Sequence, residues 1–523
     1  MIDTKLLRQK ILDLAIRGKL VPQDPNDEPA SELLKKIKAE KEALIKAGKL
    51  KRDKHESFIF RGDDKRYYEQ VDGKTTDISG EIPFDLPNGW MWARLKQLFS
   101  VVSARRVHKA DWKAAGIPFY RAREVAKLSE TGFVNNDLFI SEEQYTSYKQ
   151  SSGVPLPGDL MVTAVGTIGK VYVVKKGDIF YYKDASVICF ENRYHINPYF
   201  YKNLFSTSFM ISQVHKNSTG STVDTMTIEK SEQYLLPLPP LTEQKRIVAQ
   251  IESLMKCVDE IDRESETLEK SLTLAKQKIL DLAIRGKLVP QDPKDEPASE
   301  LLKKVKAEKE ALIKAGKLKR DKHESFIFRG DDNCYYEQLN GKAVDITDEI
   351  PFEIPESWCW CRLGTLCNYG VCQSADAAEI PENAWVLDLE DIEKDTGRLL
   401  CRIYKQDRPP TSSKHVFHQG NVLYSKLRTY LNKVLVADQD GFCTSEILPL
   451  DFGRHILPEF ARCVLMSKMF LDYTAQCGYG VKMPRLGTED GRKALFPLPP
   501  LDEQKRIIAA AKQHDSILKS LQG

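Results

Sequence analysis

The sequence predicts an α/β protein: two mixed α/β domains joined by a long antiparallel coiled coil, arranged as a circular pseudo-twofold repeat. Three observations predict it. One stretch of the chain is written twice, a heptad period runs through the centre, and the segments between the repeats alternate short β-like runs with Gly and Pro breaks.

The repeat comes first because it decides the architecture. Gln9 to Asp64 recurs as Gln277 to Asp332, an offset of 268, changed only at Asn26 (Lys294) and Ile37 (Val305). Weaker likeness continues through EIPFDLPNGWMW and EIPFEIPESWCW, which set Trp90 and Trp92 opposite Trp358 and Trp360. The halves then differ until LPLPPLTEQKRI (Leu236 to Ile247) returns as FPLPPLDEQKRI (Phe496 to Ile507), an offset of 260. Each half is a shared frame around a variable insert. The expected boundaries are a frame at 1–93, an insert at 94–240, a frame at 241–361, an insert at 362–500 and a frame at 501–523.

The frame carries a helix whose period can be counted. Ile247, Ile251, Leu254, Val258, Ile261, Ser265, Leu268, Leu272, Ala275, Ile279 and Leu282 follow a 4,3,4,3 spacing with one polar member, which argues a coiled-coil seam. Thr242 is placed to cap this helix and Gly286 to end it. Thr4, Leu7, Ile11 and Leu14 keep the period at one end of the chain, and Ile507, Ala511, His514, Leu518 and Leu521 keep it at the other. By the two offsets Gly523 falls opposite Arg263 and Met1 opposite Glu269, so the termini are two pieces of one broken helix beside a continuous one. His514 on the seam is expected to be packed or solvent-facing, not a ligand. After the frame helix comes a polar loop, then a helix from about Ser31 to Ala47 with Leu33, Leu34, Ile37, Leu44 and Ile45 on one side. Its lysines form a solvated face or a docking surface, and FIFRGDD and YYEQ read as short strands or an ordered turn.

Composition excludes whole classes. Hydrophobic residues are 41%, charged residues 29% and mean hydropathy -0.41, and no window approaches the ~18 apolar residues of a membrane span. The N-terminus has no apolar leader core, so a cytoplasmic protein is expected. Eleven cysteines at irregular spacing fit reduced thiols, and Cys359, Cys361, Cys367 and Cys372 fit small core residues better than a zinc site, since Met91, Ala93 and Phe99 stand opposite the first three.

Net charge is only +3, from 78 basic and 75 acidic residues, so any basic surface must be local. The first insert holds 18 basic against 13 acidic residues, with Arg105, Arg106, His108, Lys109, Arg121 and Arg123 close together. The second balances 17 against 17, yet Arg398 to Lys433, including Arg402, Lys405, Lys426, Arg428 and Lys433, has eight basic residues and only Asp407 opposing them. Taken alone a basic run is usually a solvated face. One run per repeated unit points to phosphate contact. A second candidate is the loop before the PLPPL frame, KNSTGSTVDTM (Lys216 to Met226) and QCGYGVKMPRL (Gln476 to Leu486), where Asn217, Ser221, Lys482 and Arg485 offer groove-compatible hydrogen bonding or plain loop chemistry.

Catalytic motifs are missing. GTIGK (Gly166 to Lys170) lacks the upstream Gly and the following Ser/Thr of a phosphate-binding loop, and no HExxH, GxSxG or paired CxxC occurs. NPYF (Asn197 to Phe200) lacks the second proline of an adenine methyltransferase motif and reads as a helix start with Pro198 in the first turn. The helical stretches Pro198 to Val214 and Pro458 to Ala475 close the two inserts.

The frame-insert-frame-insert order, the PLPPLxEQKRI element after each insert, the GTIGKVYVV run and SKLRTYLNKVLVAD followed by GFCTSE together resemble the specificity subunits of type I restriction-modification enzymes, over essentially the whole chain. The resemblance implies that each insert is a target recognition domain reading one half of a split sequence in double-stranded DNA, and that the antiparallel coiled coil sets the gap. It implies as partners two modification subunits that methylate adenine with S-adenosylmethionine and two restriction subunits that use ATP and Mg, with no cofactor bound by this chain and no catalysis by it alone. It places the DNA readers around Gly166 to Lys170, Lys216 to Thr222, Lys426 to Lys433 and Tyr479 to Arg485. A stand-alone DNA-binding protein or a coiled-coil adaptor without restriction partners is the alternative.

Overall fold

The computed structural model describes residues 2–48, 52, 56–216, 225–316, 325–339, 341–480 and 483–521. The chain divides into two compact units, Ile2–Ser265 and Glu266–Gly523. Among the described residues no helix is long and apolar enough to cross a membrane.

The first unit opens on the helix Thr4–Ile16, capped by Asp3, whose carboxylate accepts the Leu6 N–H at 2.9 Å. The helix ends at Gly18 in the left-handed region (φ +65°), and Lys19 N–H donates back to the Leu14 carbonyl at 2.9 Å. Glycine is required there twice over, because a Cβ would stand 2.4 Å from Pro87. The helix Ala30–Lys46 follows, burying Ala30, Leu33 and Ile37. FIFRGDD and YYEQ then form an antiparallel three-stranded sheet, Ser57–Arg61, Tyr67–Val71 and Lys74–Asp77.

The frame closes on itself around the insert. Strand Met91–Arg94 pairs antiparallel with Leu235–Leu238, the strand of the PLPPL element, in the register Arg94 to Leu235 and Met91 to Leu238. Between these strands lie an antiparallel four-stranded sheet, in the order Ser100–Ser103, Val187–Glu191, Leu160–Thr163, Val171–Val173, and a short three-stranded sheet in which Tyr181–Tyr182 runs parallel to Ile117–Tyr120. The expected helix from Pro198 to Val214 is in fact two, Pro198–Phe205 and Ser208–Lys216. The break has a local cause: Thr207 turns its hydroxyl onto the Met210 N–H at 3.3 Å and restarts the helix. Asn197 caps the first of the two, with Pro198 in its first turn, so NPYF is a helix start.

Leu241–Ile284 is one helix of 44 residues. Its seam is graded. Ile247, Ile251, Val258 and Leu272 are buried, Leu254 and Ile261 half-buried, and Leu268 is 42% exposed near the point where the chain termini were expected to leave a gap. Within the first unit Arg8 donates to Asp259 at 2.8 Å and to Asp262 at 2.7 Å, while further along the chain Gln23 reaches Glu243 at 2.7 Å and Asp27 reaches Arg246 at 2.5 Å. From Arg8 to the Gln23 and Asp27 segment the partners on the long helix move back from Asp259 and Asp262 to Glu243 and Arg246. Thr242 does not cap this helix: the helix starts at Leu241, and the Thr242 hydroxyl instead bonds the Asp27 carboxylate. Gly286 (φ +65°) does end it.

The second unit repeats the frame contacts. Helix Ala298–Lys314, strands Ser325–Arg329, Tyr335–Leu339 and Lys342–Asp345, and the ladder of Cys359–Arg362 with Leu495–Leu498 recur. Its insert differs, with a five-stranded sheet in the order Ser374–Ala375, Lys414–Phe417, Gly441–Cys443, Trp385–Leu387, Ile403–Tyr404 and a three-stranded sheet of Val434–Val436, Val422–Ser425 and Ile447–Leu450. Here too the expected helix is two, Pro458–Leu465 and Lys468–Cys477, restarted by the Ser467 hydroxyl on the Phe470 N–H at 3.3 Å. The chain closes on the helix Leu501–Ser520, on which His514 faces solvent.

All eleven cysteines are unbonded thiols. Cys361 and Cys367 lie in the core of the second unit with Cys359 and Cys372 packed against it, and burial pushes the Cys367 thiol up to about 12, away from the thiolate a metal needs. No group of three or more potential metal ligands occurs among the described residues.

Candidate nucleic-acid interface

In each unit a hairpin tip expected to read DNA is joined to the end of the loop before the PLPPL frame; residues 217–224 of the first loop and 481–482 of the second lie outside the described residues. In the first unit, strands Leu160–Thr163 and Val171–Val173 form a hairpin whose tip holds GTIGK. Val165 bridges to Thr225, and the Ala164 carbonyl accepts the Met226 N–H at 2.9 Å, so the tip is stitched to the end of the Lys216 to Met226 loop. In the second unit, strands Val422–Ser425 and Val434–Val436 form the corresponding hairpin. Leu427 bridges to Arg485, and the Lys426 carbonyl accepts the Leu486 N–H at 3.0 Å. Same hairpin, same stitch, different side chains.

The two tips also share their backbone. Each needs two left-handed residues to turn the chain. The first insert uses Gly166 (φ +77°) and Gly169 (φ +80°), both with open space where a Cβ would stand. The second uses Arg428 (φ +51°) and Asn432 (φ +49°) around a 3₁₀ turn at Thr429–Leu431. For a residue with a Cβ this conformation costs about 1–2 kcal/mol, less for Asn. It is held by the Arg428 N–H on the Pro484 carbonyl at 2.7 Å and by the buried Asn432 amide on the Met466 carbonyl at 3.1 Å. Around the Arg428 tip, Tyr430, Tyr479 and Met483 are each at least half exposed. The sequence signal for Arg428 and Asn432 was available in the alignment of GTIGK with RTYLNK, where the glycines have no counterpart.

The expected phosphate-contacting residues separate into tied and untied groups. In the first insert Arg105, Arg106 and Lys109 are exposed and have no carboxylate partner among the described residues; the Arg105 guanidinium lies 5.8 Å from the Tyr148 ring centre. Arg121 and Arg123 are spoken for. Both bond Glu124, and they reach Asp137 at 2.8 and 2.9 Å. Burial alone would raise the Glu124 carboxyl, but hydrogen bonds from the two arginines outweigh it and hold it below the usual range. Lys170 meets Glu130 at 3.0 Å on the open surface, a contact worth little. Asn217 and Ser221 lie outside the described residues.

In the second insert the basic run is neutralised in space. Arg398 pairs with Glu393 at 3.0 Å, Arg402 with Asp438 at 2.6 Å, Lys405 with Glu382 at 3.0 Å and Lys414 with Asp388 at 2.8 Å, while Arg408 is enclosed by Asp388, Glu390 and Asp391. The single opposing acid seen along the sequence is therefore a poor guide. Acids preceding the run and following it are folded against it. Lys433 donates to the Leu389 carbonyl at 2.6 Å, and Arg485 is held by Glu446 at 2.8 Å. Of this run only Lys426 and Arg428 have no acidic or carbonyl partner for the side chain among the described residues, and Arg428 is the exposed one. Lys482 lies outside the described residues.

Residues that sequence reasoning did not single out hold the frame. Arg94, buried, donates to Glu69 at 2.6 Å and to Glu81 at 3.0 Å, and Arg362 repeats this with Glu337 at 2.6 Å and Glu349 at 2.9 Å. Trp90 donates its indole N–H to buried Glu243 at 2.8 Å, and Trp358 to Glu503 at 2.9 Å. A duplicated Trp before each insert and a duplicated Glu after it, 153 residues on in one half and 145 in the other, were the available signal.

The family profile described as the type I restriction modification DNA specificity domain matches residues 87–270. The EcoAI specificity subunit of Escherichia coli is 29% identical, over 97% of this chain and 88% of its own. A chain solved in work on complex assembly and conformational transition of the type I R-M system shares the fold, with a TM-score of 0.52 at 19% identity, covering 84% of this chain and 93% of that one. The EcoEI specificity subunit of Escherichia coli is 31% identical over 99% of this chain and 90% of its own, and on that likeness the chain belongs to the specificity subunits of type I restriction enzymes.

Proposed function

We propose that the chain is the non-catalytic DNA-recognition subunit of a type I restriction-modification complex. The inserts 94–240 and 362–500 each read one half of a bipartite target in double-stranded DNA. The frames 1–93, 241–361 and 501–523 build an antiparallel coiled coil, with the pseudo-twofold repeat expected from the sequence, that sets the gap between the halves. The observation that carries this reading is the recurrence of one stitched hairpin tip in two otherwise unlike inserts. A shared scaffold with different exposed side chains is what two readers of different sequences require. The coiled coil is supported by the seam of the helix Leu241–Ile284 and by the opposed order of the Arg8 and Asp27 contacts along it.

In this reading the partners are two modification subunits, which methylate adenine with S-adenosylmethionine, and two restriction subunits, which use ATP and Mg in the cytoplasm. The chain itself binds none of these cofactors. Its own part is to place DNA: untied cations such as Arg105, Arg106 and Lys109 meet phosphates, and the hairpin tips meet base edges. The test is an exchange of residues 94–240 for the first insert of another family member, assembled with the modification subunits, with methylated adenines read by sequencing. One half of the methylated motif changes and the other stays. Both halves changing together, or neither, overturns the reading.

A further inference from the structure

We propose that Arg428 is the specificity-determining residue of the second hairpin and reads a guanine of a G·C pair through its major-groove edge. This rests on the reading of the insert as a DNA-recognition domain and deepens it.

The comparison of the two tips carries the argument. They share the hairpin and the bridge to the following loop, and the left-handed residue that opens the turn is Gly166 in one and Arg428 in the other. Glycine is the unstrained solution, and the first insert uses it. The second keeps a large side chain in a conformation that disfavours one, which is the form strain takes at functional positions. Nothing in the fold uses that side chain. Arg428 is exposed, no carboxylate among the described residues meets it, and its backbone is pinned by the Pro484 carbonyl at 2.7 Å. Of its basic neighbours among the described residues, Arg485 is held by Glu446 and Lys433 by the Leu389 carbonyl, while Lys426, which has no such partner, is partly buried. The tip therefore presents one free guanidinium from a fixed origin.

The fixed origin separates base reading from phosphate contact. A phosphate accepts a cation from many directions, and a flexible Lys on unstrained backbone serves it. The O6 and N7 acceptors of guanine lie in one plane and match the planar fork of Arg, which makes two parallel hydrogen bonds only when its root is placed.

The assembled methyltransferase with wild-type chain first gives the bipartite motif from the adenines it methylates. Arg428→Gly and Arg428→Lys complexes are then assayed on duplexes carrying each single base-pair change of that motif. Arg428→Gly installs the residue the first tip uses and relieves strain, so the thermal transition stays at or above wild type and lost reading is separated from lost fold. The expected result is that discrimination at one G·C pair of the second half falls by about 5- to 150-fold with the other positions unchanged, and that Arg428→Lys does not restore it. A motif unchanged in Arg428→Gly overturns the proposal. So does a uniform loss on all DNA that Arg428→Lys restores, which marks a phosphate contact and leaves the recognition reading standing. A wild-type complex with no bipartite motif overturns both.

Discussion

Removing two untied arginines from the first insert tests where the electrostatic footprint lies. In Arg105→Ala/Arg106→Ala both side chains lost are exposed and without carboxylate partners among the described residues, so each is free to displace a counterion from DNA. Each phosphate contact contributes about 0.9 to the slope of log K against log salt, so the double variant flattens the slope by about 1.8. Between 50 and 200 mM salt, wild-type affinity then falls about tenfold more than that of the variant. The comparator is Arg123→Ala, the loss of one charge from a residue already bonded to Glu124 and Asp137, with Arg121 left to hold the buried Glu124 carboxylate. It leaves the slope at the wild-type value. The assay is equilibrium binding of the assembled methyltransferase to one duplex with its target and one without, across a salt series. Both duplexes respond alike, because a phosphate contact carries no sequence information. A wild-type slope in the double variant, or a full unit lost in Arg123→Ala, refutes the division into tied and untied cations.

Two further outcomes follow from the frame. Glu69→Ala strands the buried Arg94 guanidinium beside half-exposed Glu81; the loss is about 3 kcal/mol, seen as a Tm roughly 6–12 °C lower for a unit of this size, and an unchanged Tm contradicts the buried pair as a stabilising element. Deleting the seven residues 264–270, a stretch that avoids the Arg8 contacts at Asp259 and Asp262, shortens the central helix by roughly 10 Å in phase with the seam; the methylated motif keeps both half-sites while its gap shrinks by up to about three base pairs, and an active complex with the original gap shows that something else spaces the readers.

What was legible in the sequence was whatever is encoded locally or by repetition. The heptad period located the Leu241–Ile284 helix, and the glycine after it ends it because only a left-handed residue permits the closing bond. The duplicated frame returned duplicated contacts. Much of what was not legible depends on neighbours distant in sequence. The charge balance of Arg398 to Lys433 could not be read along the chain, since the fold brings Asp388 and Asp438 against it from outside the run and Glu393, just before it, turns onto Arg398. Thr242 looked like a cap because a hydroxyl near a helix start usually finds a backbone N–H; a carboxylate from Asp27 competes for it and wins. The paired helices at 198–216 and 458–477 were read as single ones because Thr207 and Ser467 are ordinary residues until their hydroxyls take the N–H groups three residues on.

The frame and the inserts meet in a way that explains how one can vary while the other does not. The ladder pairs Arg94 with Leu235 and Arg362 with Leu495, so the chain between them, which holds nearly all of each insert, begins and ends one strand spacing, about 4.8 Å, apart. Across that junction the recurring polar contacts go from side chains at or outside the ladder to backbone groups between its strands. Arg94 donates to the Gln233 carbonyl at 3.0 Å and Arg362 to the Lys493 carbonyl at 2.8 Å. The Gln244 side chain accepts the Asn197 N–H at 3.0 Å and Gln504 the Leu457 N–H at 2.8 Å. Lys41 donates to the Lys96 carbonyl at 3.1 Å and Lys309 to the Gly364 carbonyl at 3.3 Å. Backbone groups are the same whatever the residue, so these contacts place no demand on the insert's sequence at those points. The demands that recur in both units include a ring beneath the tryptophan, met by Phe200 and Phe460, and a helix that starts where the glutamine waits, while others belong to one unit, such as Phe209 against Trp92 in the first and Arg454 and His455 on Glu308 in the second. An insert can therefore change its exposed tip, from Gly166 to Arg428, without altering anything the frame recognises.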